Sequence, residues 1–268
     1  AGIPDEVSKD LMLMLPYRDK NAYDLIRKYK DDLALVVIEP VQSSNPRLDN
    51  QEFLDGLREV CTECEVLLML DEVITGFRIE YGGCQEYYDI KPDLVTYGKA
   101  VGGGLPIGVV AGSKHVMNTF SGAENTPAIF AGGTFSGNPL TMASGIGALE
   151  YLKDNKEEIY PYLHEQGNRM ASEINEFCRS NNMPVQMMNA GSMMHLIFGG
   201  ETIESSRDIN RSQYALENEF YLHLLGHNVI VPGIHLAFIS FAHKSDVIDK
   251  VIDAFKKTFE DLREDGYI

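Results

Sequence analysis

A carboxylate and a lysine lie at the ends of two apolar segments, where each segment gives way to a turn. The segment VLLMLDEVITGFR, residues 66–78, carries Asp71, and LVTYGKAVGGG, residues 94–104, carries Lys99 ahead of three glycines. An aspartate in this position is ordinarily the cap of the turn that follows. A lysine there is either a surface residue or a nucleophile that points into a crevice. Glycines let neighbouring chain approach closely, as a binding pocket requires.

A third segment, GGTFSGNPL at residues 132–140, combines hydroxyls and backbone amides ahead of a predicted helix. Such a segment can bind an anion, so Thr134 is a candidate phosphate ligand, although a turn before a helix needs no ligand. A carboxylate, a lysine and a phosphate loop at the edge of one sheet are what pyridoxal phosphate requires. The lysine condenses with the aldehyde, the carboxylate keeps the pyridine nitrogen protonated, and the loop holds the phosphate.

The elements that must position these residues alternate between apolar runs and amphipathic stretches. The runs are LALVVIE (33–39), EVLLMLD (65–71), PDLVTYG (92–98) and IGVVAG (107–112), and a helix is predicted at about 50–64. This alternation predicts an α/β fold with a mainly parallel sheet that is covered on both faces. Ligands bind beyond the carboxyl ends of such strands, where Glu39, Asp71 and Lys99 all fall.

From about residue 140 the pattern changes to a long helical region, interrupted near 154–156 or at Pro161. Short strands are predicted at about 185–199 and 228–241, and helices at about 209–225 and 245–263. We interpret this half as a smaller α+β domain. The sequence therefore predicts a large domain at 1–154 and a small domain at 155–268. The acidic tail FEDLREDGYI is interpreted as a solvated helix end.

Composition narrows the classes of function. Asp and Glu number 40 against 23 Lys and Arg, which gives a formal charge of −17 and argues against a nucleic-acid partner. No run approaches the roughly 18 apolar residues of a membrane span, and the first residues lack a signal peptide, so a cytosolic protein is expected. Cys61 and Cys64 form a CxxC within a helical pattern. We interpret them as ordinary helix cysteines over a metal or redox site, and no metal site is predicted.

The motifs LDEVITGFR, DLVTYGKAVGGGLPIG and GGTFSGNPL, in this order and spacing, resemble the class III, fold-type I, pyridoxal-phosphate-dependent aminotransferases. The resemblance covers nearly the whole chain and is closest to the glutamate-1-semialdehyde aminomutase branch. Within it, IEPVQSSNPRL and PDLVTYGKAVGGGLPIGVVAG look most like aminotransferase domains of polyketide and nonribosomal-peptide assembly lines and of prodigiosin-type pigment pathways.

The resemblance implies a role for each matching residue. Lys99 would bind the cofactor aldehyde covalently, and Asp71 would pair with the pyridinium nitrogen. Val73, two residues on, would press on the ring face. Thr134, with the backbone of Gly133, would bind the phosphate of the neighbouring subunit's cofactor, in a homodimer with shared active sites.

The expected function is transfer of an amino group from an amino-acid donor to a ketone or aldehyde, free or carrier-bound, in secondary metabolism. Glu39 would shape the pocket or orient the substrate, or else pair with a buried arginine or histidine. The short segment VPGIHLAFISFAHKSD departs from the aminomutase pattern. The aminomutase reaction is therefore the second hypothesis, and a non-catalytic dimerisation or docking fragment is the third.

Part of the family pattern is absent from these residues. Enzymes of this kind carry an amino-terminal Ser/Gly-rich loop that makes most of the phosphate contacts, and an aromatic residue that stacks on the other ring face. Neither appears in the 268 residues. We therefore expect a missing or separate amino-terminal segment of the same enzyme.

Overall fold

Two β-sheets organise the part of the chain that the computed structural model describes, namely residues 4–122, 127–199, 203–209, 214–231 and 237–268. The strands are β1 (Leu35–Ile38), β2 (Leu67–Glu72), β3 (Leu94–Gly98), β4 (Gly108–Gly112), β5 (Val185–Ala190), β6 (Met193–Phe198) and β7 (Ala237–Phe238). The α-helices of the described residues are α1 (Asp5–Asp10), α2 (Asn21–Tyr29), α3 (Gln51–Glu63), α4 (Cys84–Tyr87), α5 (Lys114–Met117), α6 (Pro139–Asp154), α7 (Lys156–Ser180), α8 (Tyr214–Gly226) and α9 (Ser245–Glu264).

The first sheet has the strand order β1-β2-β3-β4. Strands β1, β2 and β3 run parallel, whereas β4 is antiparallel to β3. Only residues 99–107 join β3 to β4, which is shorter than the dozen or more residues that a parallel crossover needs. The predicted mainly parallel α/β sheet is therefore present, with one antiparallel strand at its edge.

Helix α3 covers this sheet with an apolar side, because its buried residues recur at helical spacing. They are Phe53, Leu54, Leu57, Val60 and Cys61. Along β2 the burial alternates, and Leu68, Leu70 and Glu72 are its buried members. Side chains alternate across a strand, so Asp71 and Glu72 face opposite sides of the sheet. Of the two CxxC cysteines, Cys61 is buried in α3 and Cys64 follows the helix directly.

The second sheet is antiparallel in the order β5-β6-β7. Helix α7 packs on β5 and α9, and α8 packs on α9, around a core that includes Met194, Leu196 and Phe198 of β6. The predicted helix interruption occurs at Asn155, and Pro161 lies inside α7. The predicted strands at 185–199 form the β5–β6 hairpin. Of the predicted strand at 228–241, the described residues contain β7, while 232–236 lie outside them; so do 210–213 of the predicted helix at 209–225.

The two cores follow the proposed division of the chain near residue 154. The buried residues of one lie mainly within 22–95, and those of the other lie within 159–262. Two residues of the β5–β6 hairpin, Ala190 and Met193, nevertheless pack into the first core. The boundary between a large and a small domain therefore stays a proposal.

The interpretation of the acidic tail as a solvated helix end is wrong in part. Leu262 is fully buried, because α9 packs on α8 with this side. Asp265 pairs with His223 at 3.0 Å, and Asp261 with His227 at 2.6 Å. The first of these pairs raises the pKa of His223, since a hydrogen-bonded carboxylate favours the imidazolium. Among the described residues, no helix has both the length and the apolar character needed to cross a bilayer.

Candidate active site

Three of the predicted site residues lie at one edge of the first sheet. Glu39 directly follows β1, Asp71 is the penultimate residue of β2, and Lys99 directly follows β3. Neighbouring parallel strands bring their carboxyl ends to the same edge, so these residues converge. The charges of Asp71 and Lys99 both act on the Glu39 carboxyl, which places the three groups within electrostatic reach of one another.

Asp71 is half-buried and uses one carboxylate oxygen to hold the local structure. Its Oδ1 accepts a hydrogen bond from the backbone N–H of Val73 at 3.1 Å and another from the Thr96 hydroxyl at 3.1 Å. Thr96 lies directly opposite Asp71 in the register of β2 and β3. Within the described residues Oδ2 has no hydrogen-bond partner. The ordinary role as a turn cap is thus present, and it leaves one oxygen available to a ligand.

Lys99 adopts a backbone conformation that is uncommon for a side chain other than glycine. Its φ is 50°, in the left-handed region, and it opens the 3₁₀ turn Lys99–Gly102. Backbone strain of this kind often occurs at functional sites, where the surroundings hold it in place. The side chain is exposed and makes no ion pair or hydrogen bond with the described part of the chain. Its amino group is therefore accessible to a ligand.

Helix α6 packs closely against the backbone of the 3₁₀ turn that begins at Lys99. The Ser144 hydroxyl donates to the carbonyl of Gly103 at 2.9 Å. A Cβ atom added at Gly145 would lie 2.8 Å from the carbonyl oxygen of Val101, inside the turn. The absence of a side chain at Gly145 thus allows α6 to hold the turn that carries Lys99.

The two residues that follow Asp71, Glu72 and Val73, have different surroundings. Val73 lies against Gly98, where an added Cβ would meet its Cγ1 at 3.2 Å, so it is beside the residue that precedes Lys99. Glu72 is fully buried, and its Oε2 accepts from the Cys84 N–H at 2.7 Å and the Thr75 hydroxyl at 3.1 Å. Burial raises the pKa of Glu72, and these hydrogen bonds counteract the increase. Glu72 holds the turns after β2 together.

Glu39 is half-buried, and its protonation equilibrium is shifted by its neighbours. Burial raises its pKa, hydrogen bonds from the hydroxyl and the N–H of Ser43 lower it, and the charges of Asp71 and Lys99 then raise and lower it respectively. Tyr17 donates its hydroxyl to the carbonyl of Glu39 at 3.2 Å. No arginine or histidine pairs with this carboxylate among the described residues, which supports the pocket interpretation.

Thr134 and Gly133 lie apart from these groups, in an exposed turn ahead of α6. The N–H of Gly133 donates to the Ser136 hydroxyl at 2.9 Å, and the Asn138 side chain caps α6. In the part of the chain that is described, no hydrogen bond or ion pair joins this turn to the Glu39, Asp71 and Lys99 side chains. A contribution of Thr134 and Gly133 to the same site therefore stays a prediction.

Sequence reasoning missed the residues that hold the site. Thr96 is identified by strand register, which the sequence does not specify, and Ser43 by its lowering effect on the pKa of Glu39. Thr96 lies opposite Asp71, and Ser43 comes shortly after Glu39 in the sequence. Such positions alone do not show whether a residue helps to hold the site.

Comparison with known proteins decides the family. The family model Aminotransferase class-III matches residues 12–262. The chain belongs to this family. Among curated relatives of this class III chain is the glutamate-1-semialdehyde 2,1-aminomutase of Clostridium botulinum (strain Alaska E43 / Type E3), 35% identical over 261 residues, which are 96% of this chain and 60% of the relative.

Solved structures give the same family fold. An omega-transaminase from Sphaerobacter thermophilus superposes with a TM-score of 0.84 at 30% identity, over 93% of this chain and 57% of that one. A structure described as a transaminase with PLP bound has a TM-score of 0.80 at 25% identity, over 95% of this chain and 58% of that one. The predicted fold-type I architecture is confirmed. The class III chain spans about 60% of the length of the curated relatives that it matches.

Proposed function

We propose that this class III chain is part of a pyridoxal 5'-phosphate-dependent aminotransferase and supplies the lysine that binds the cofactor. The enzyme would move an amino group from an amino-acid donor to a ketone or aldehyde acceptor. One observation supports this proposal above the others: Lys99, which is strained and has no hydrogen-bond or ion-pair partner among the described residues, shares a sheet edge with Asp71 and Glu39. A transaminase that is 25% identical to this chain has PLP bound in its structure.

The residues at this edge fit the cofactor. Oδ2 of Asp71 is open to accept a hydrogen bond from a pyridinium N–H, and the Lys99 amine is available to the aldehyde. Val73 presents an apolar surface beside Gly98 on which an aromatic ring can lie. Thr134 and the backbone of Gly133 would bind the phosphate of a second copy's cofactor. Bound pyridoxal phosphate supplies an electron sink for the carbanion formed at the donor Cα.

Three side chains of this chain would have separate roles in the reaction. Asp71, held on Oδ1 by Val73 and Thr96, would present a fixed negative charge to the ring nitrogen. The Lys99 amine would act as the general base that takes the proton from the donor Cα and then as the general acid that gives it back. Glu39 would orient the donor through its carboxylate. Its raised pKa and its position beside Lys99 make it sensitive to the charge of the bound substrate.

Two partners belong to the same proposal. A second copy would complete the active site through the Thr134 turn, which is exposed beside Phe135. A further amino-terminal segment of the same enzyme would cover the outer side of β1. There an apolar groove of about 610 Å³ is lined by residues 11–17 and 32–38 together with Phe53 and Leu57, and Val37 is 55% exposed. Pairing with an added strand would shield this edge.

The aminomutase reaction is the second candidate, because the C. botulinum relative carries that name. It differs from aminotransfer in a measurable way, since the amino group leaves and returns to the same carbon skeleton. An aminotransferase needs an external amino donor and an aminomutase does not. A carrier-bound acceptor, a place in polyketide or pigment biosynthesis and a cytosolic location stay predictions from the sequence.

The test uses the complete enzyme with Lys99→Ala and, as a matched control, Lys114→Ala in α5. We expect the wild type and the Lys114 variant to retain pyridoxal phosphate with near-visible absorbance and to transfer an amino group from an external donor. Lys99→Ala should lose the covalently held chromophore and slow transfer by at least about 10³-fold. Full turnover in Lys99→Ala would refute the assignment. Turnover of the wild type without a donor would favour the aminomutase, and a wild type that binds no cofactor would favour a non-catalytic role.

A further inference from the structure

The chain enters a buried loop directly after β1. Glu39 is half-buried, and Pro40 and Val41 are buried. Outside a helix or strand, buried backbone carbonyls must find other hydrogen-bond donors, because an unpaired carbonyl costs free energy. Pro40 also restricts the residue before it to extended backbone conformations. The direction of the Glu39 side chain therefore depends on how this short loop is held.

Two side chains supply the donors, and the first belongs to Tyr17. Its hydroxyl lies 3.2 Å from the carbonyl oxygen of Glu39 and 3.1 Å from that of Pro40, so both carbonyls share this donor. The Tyr17 ring is held in turn by Phe53 of α3, with the ring centroids 5.3 Å apart. Burial raises the pKa of the Tyr17 hydroxyl, and the charge of Glu39 raises it further, so this group remains a donor.

The second donor is Asn50, which directly precedes α3. An asparagine in this position ordinarily caps the helix with its side-chain oxygen, but Asn50 makes no such bond within the described residues. Instead, its Nδ2 donates to the carbonyls of Pro40 at 3.0 Å and Arg47 at 3.1 Å. Its Oδ1 accepts from Nη1 of Arg18 at 2.7 Å, and only 2% of the residue is exposed. This buried side chain thus holds the loop after β1 and not the helix that it precedes.

We propose that Tyr17 and Asn50 are positioning residues: by holding the two carbonyls at the end of β1, they set the direction in which the Glu39 side chain leaves the sheet. Both act through the backbone of the loop and not on the substrate. Their effect on donor binding rests on the proposed function, in which Glu39 orients the donor. Their effect on the Glu39 side chain is independent of it.

The first test is Tyr17→Phe, which removes the hydroxyl and keeps the ring that packs on Phe53. The Glu39 carbonyl loses its donor, so the carboxylate should spend less time in the orientation that binds the amino donor. We expect the KM for the donor to rise about fivefold, the effect of losing roughly one net hydrogen bond, with kcat little changed. A loss of folded enzyme would instead lower the apparent kcat and leave the KM unchanged.

Tyr23→Phe in α2 is the matched control. Tyr23 also packs on Phe53, with the ring centroids 5.7 Å apart, and its hydroxyl also donates to a backbone carbonyl, that of Phe53 at 3.0 Å. This carbonyl lies in α3 and not at the end of β1. Tyr23→Phe should therefore lower the midpoint of thermal unfolding about as much as Tyr17→Phe does, but leave the KM unchanged.

A double-mutant cycle with Glu39→Gln shows whether Tyr17 acts through this carboxylate. If it does, Tyr17→Phe should have no further effect on the KM in the Glu39→Gln background, because substitutions that act through one group are not additive. All forms are made in the complete enzyme. An unchanged KM in Tyr17→Phe, equal rises in the two tyrosine variants, or a rise that persists in the Glu39→Gln background would each overturn the proposal.

A second variant and a spectroscopic measurement complete the experiment. If Tyr17→Phe fails to fold, Asn50→Ala makes the same test, because it frees the carbonyl of Pro40 and should also raise the KM. If the wild type transfers no amino group, the proposed function fails. Carboxyl-selective 13C NMR then decides the positioning role: the Glu39 resonance, identified by its loss in Glu39→Gln, should move in Tyr17→Phe and stay in place in Tyr23→Phe. An unmoved resonance in Tyr17→Phe would exclude this role.

Discussion

At the level of single residues, Thr96 is the neighbour that fixes Asp71 from an adjacent strand. Its hydroxyl donates to Oδ1, which turns the carboxylate so that Oδ2 stays available. Hydrogen bonds to charged groups contribute about 1.5–3 kcal/mol when they are well formed. We predict that Thr96→Val weakens the affinity for pyridoxal phosphate by about tenfold or more, measured by absorbance titration of the complete enzyme.

Thr75→Val is the matched control for this prediction. Thr75 donates in the same way to a carboxylate, but to the buried Glu72. Its loss should lower the free energy of unfolding by about 1–3 kcal/mol and leave the cofactor affinity unchanged. Equal effects of the two substitutions on cofactor affinity would show that Thr96 acts only through overall stability.

Among the elements, α6 is the helix on which the reactive turn rests. An added Cβ at Gly145 would lie 2.8 Å from the carbonyl oxygen of Val101, a backbone atom that cannot rotate away. Gly147, two residues on in the same helix, has open space around the corresponding position. Substituting each glycine in turn therefore distinguishes the effect of helix propensity from the effect of packing against the turn.

We predict opposite effects for Gly145→Ala and Gly147→Ala. The first should lower the free energy of unfolding by about 1–3 kcal/mol through overpacking, and should weaken cofactor binding by displacing the turn that carries Lys99. The second should raise it by up to about 1 kcal/mol, because alanine is the better helix former. Urea unfolding with and without pyridoxal phosphate measures both. Stabilisation by Gly145→Ala would contradict the close approach of α6.

The elements also show what the sequence could predict. The strands at the edge of the site were predictable because each is an apolar run that ends in a polar residue. The antiparallel direction of β4 was predictable too, because the residues between the apolar runs at 92–98 and 107–112 are fewer than a parallel crossover needs, although the alternation of runs and helices alone does not indicate it. Helix α4, only four residues long, depends on Glu72 accepting the N–H of Cys84 and leaves no periodic pattern. The hydrogen bonds between Gln42 and Ser206 join loops that are distant in sequence, so no local signal predicts them.

At the scale of the whole molecule, the C-terminal half of the chain contacts the turn that follows Asp71. Tyr160 donates its hydroxyl to the carbonyl of Phe77 at 3.2 Å. The guanidinium of Arg78 lies 4.0 Å from the centre of the Phe238 ring, and burial lowers its pKa to about 10. In the loop after Glu39, Gln42 is hydrogen-bonded to Ser206. The turn after Asp71 and this loop are thus both held by the C-terminal half of the chain. The relative positions of the two carboxylates depend on tertiary packing and not on the first sheet alone.

An apolar surface at the start of α6 is exposed in the described part of a single chain. Phe130 is 90% exposed and Phe135 is 84% exposed, on either side of Thr134. Leu140 and Ile146 continue this surface along α6 with 69% and 58% exposure. Exposed apolar patches on soluble proteins commonly mark interfaces. A second copy seated here would also bring the Thr134 turn next to another active site.

We therefore predict that the complete enzyme is a dimer and that Phe135→Ser combined with Ile146→Ser shifts it toward monomer in sedimentation velocity. The same variant should lose affinity for pyridoxal phosphate, because the phosphate ligand from the second copy departs with the interface. Leu222→Ser in α8 is the control, since this leucine is 63% exposed on a different helix. A double variant that becomes monomeric yet binds the cofactor as tightly as the wild type would exclude Thr134 as a ligand donated between copies.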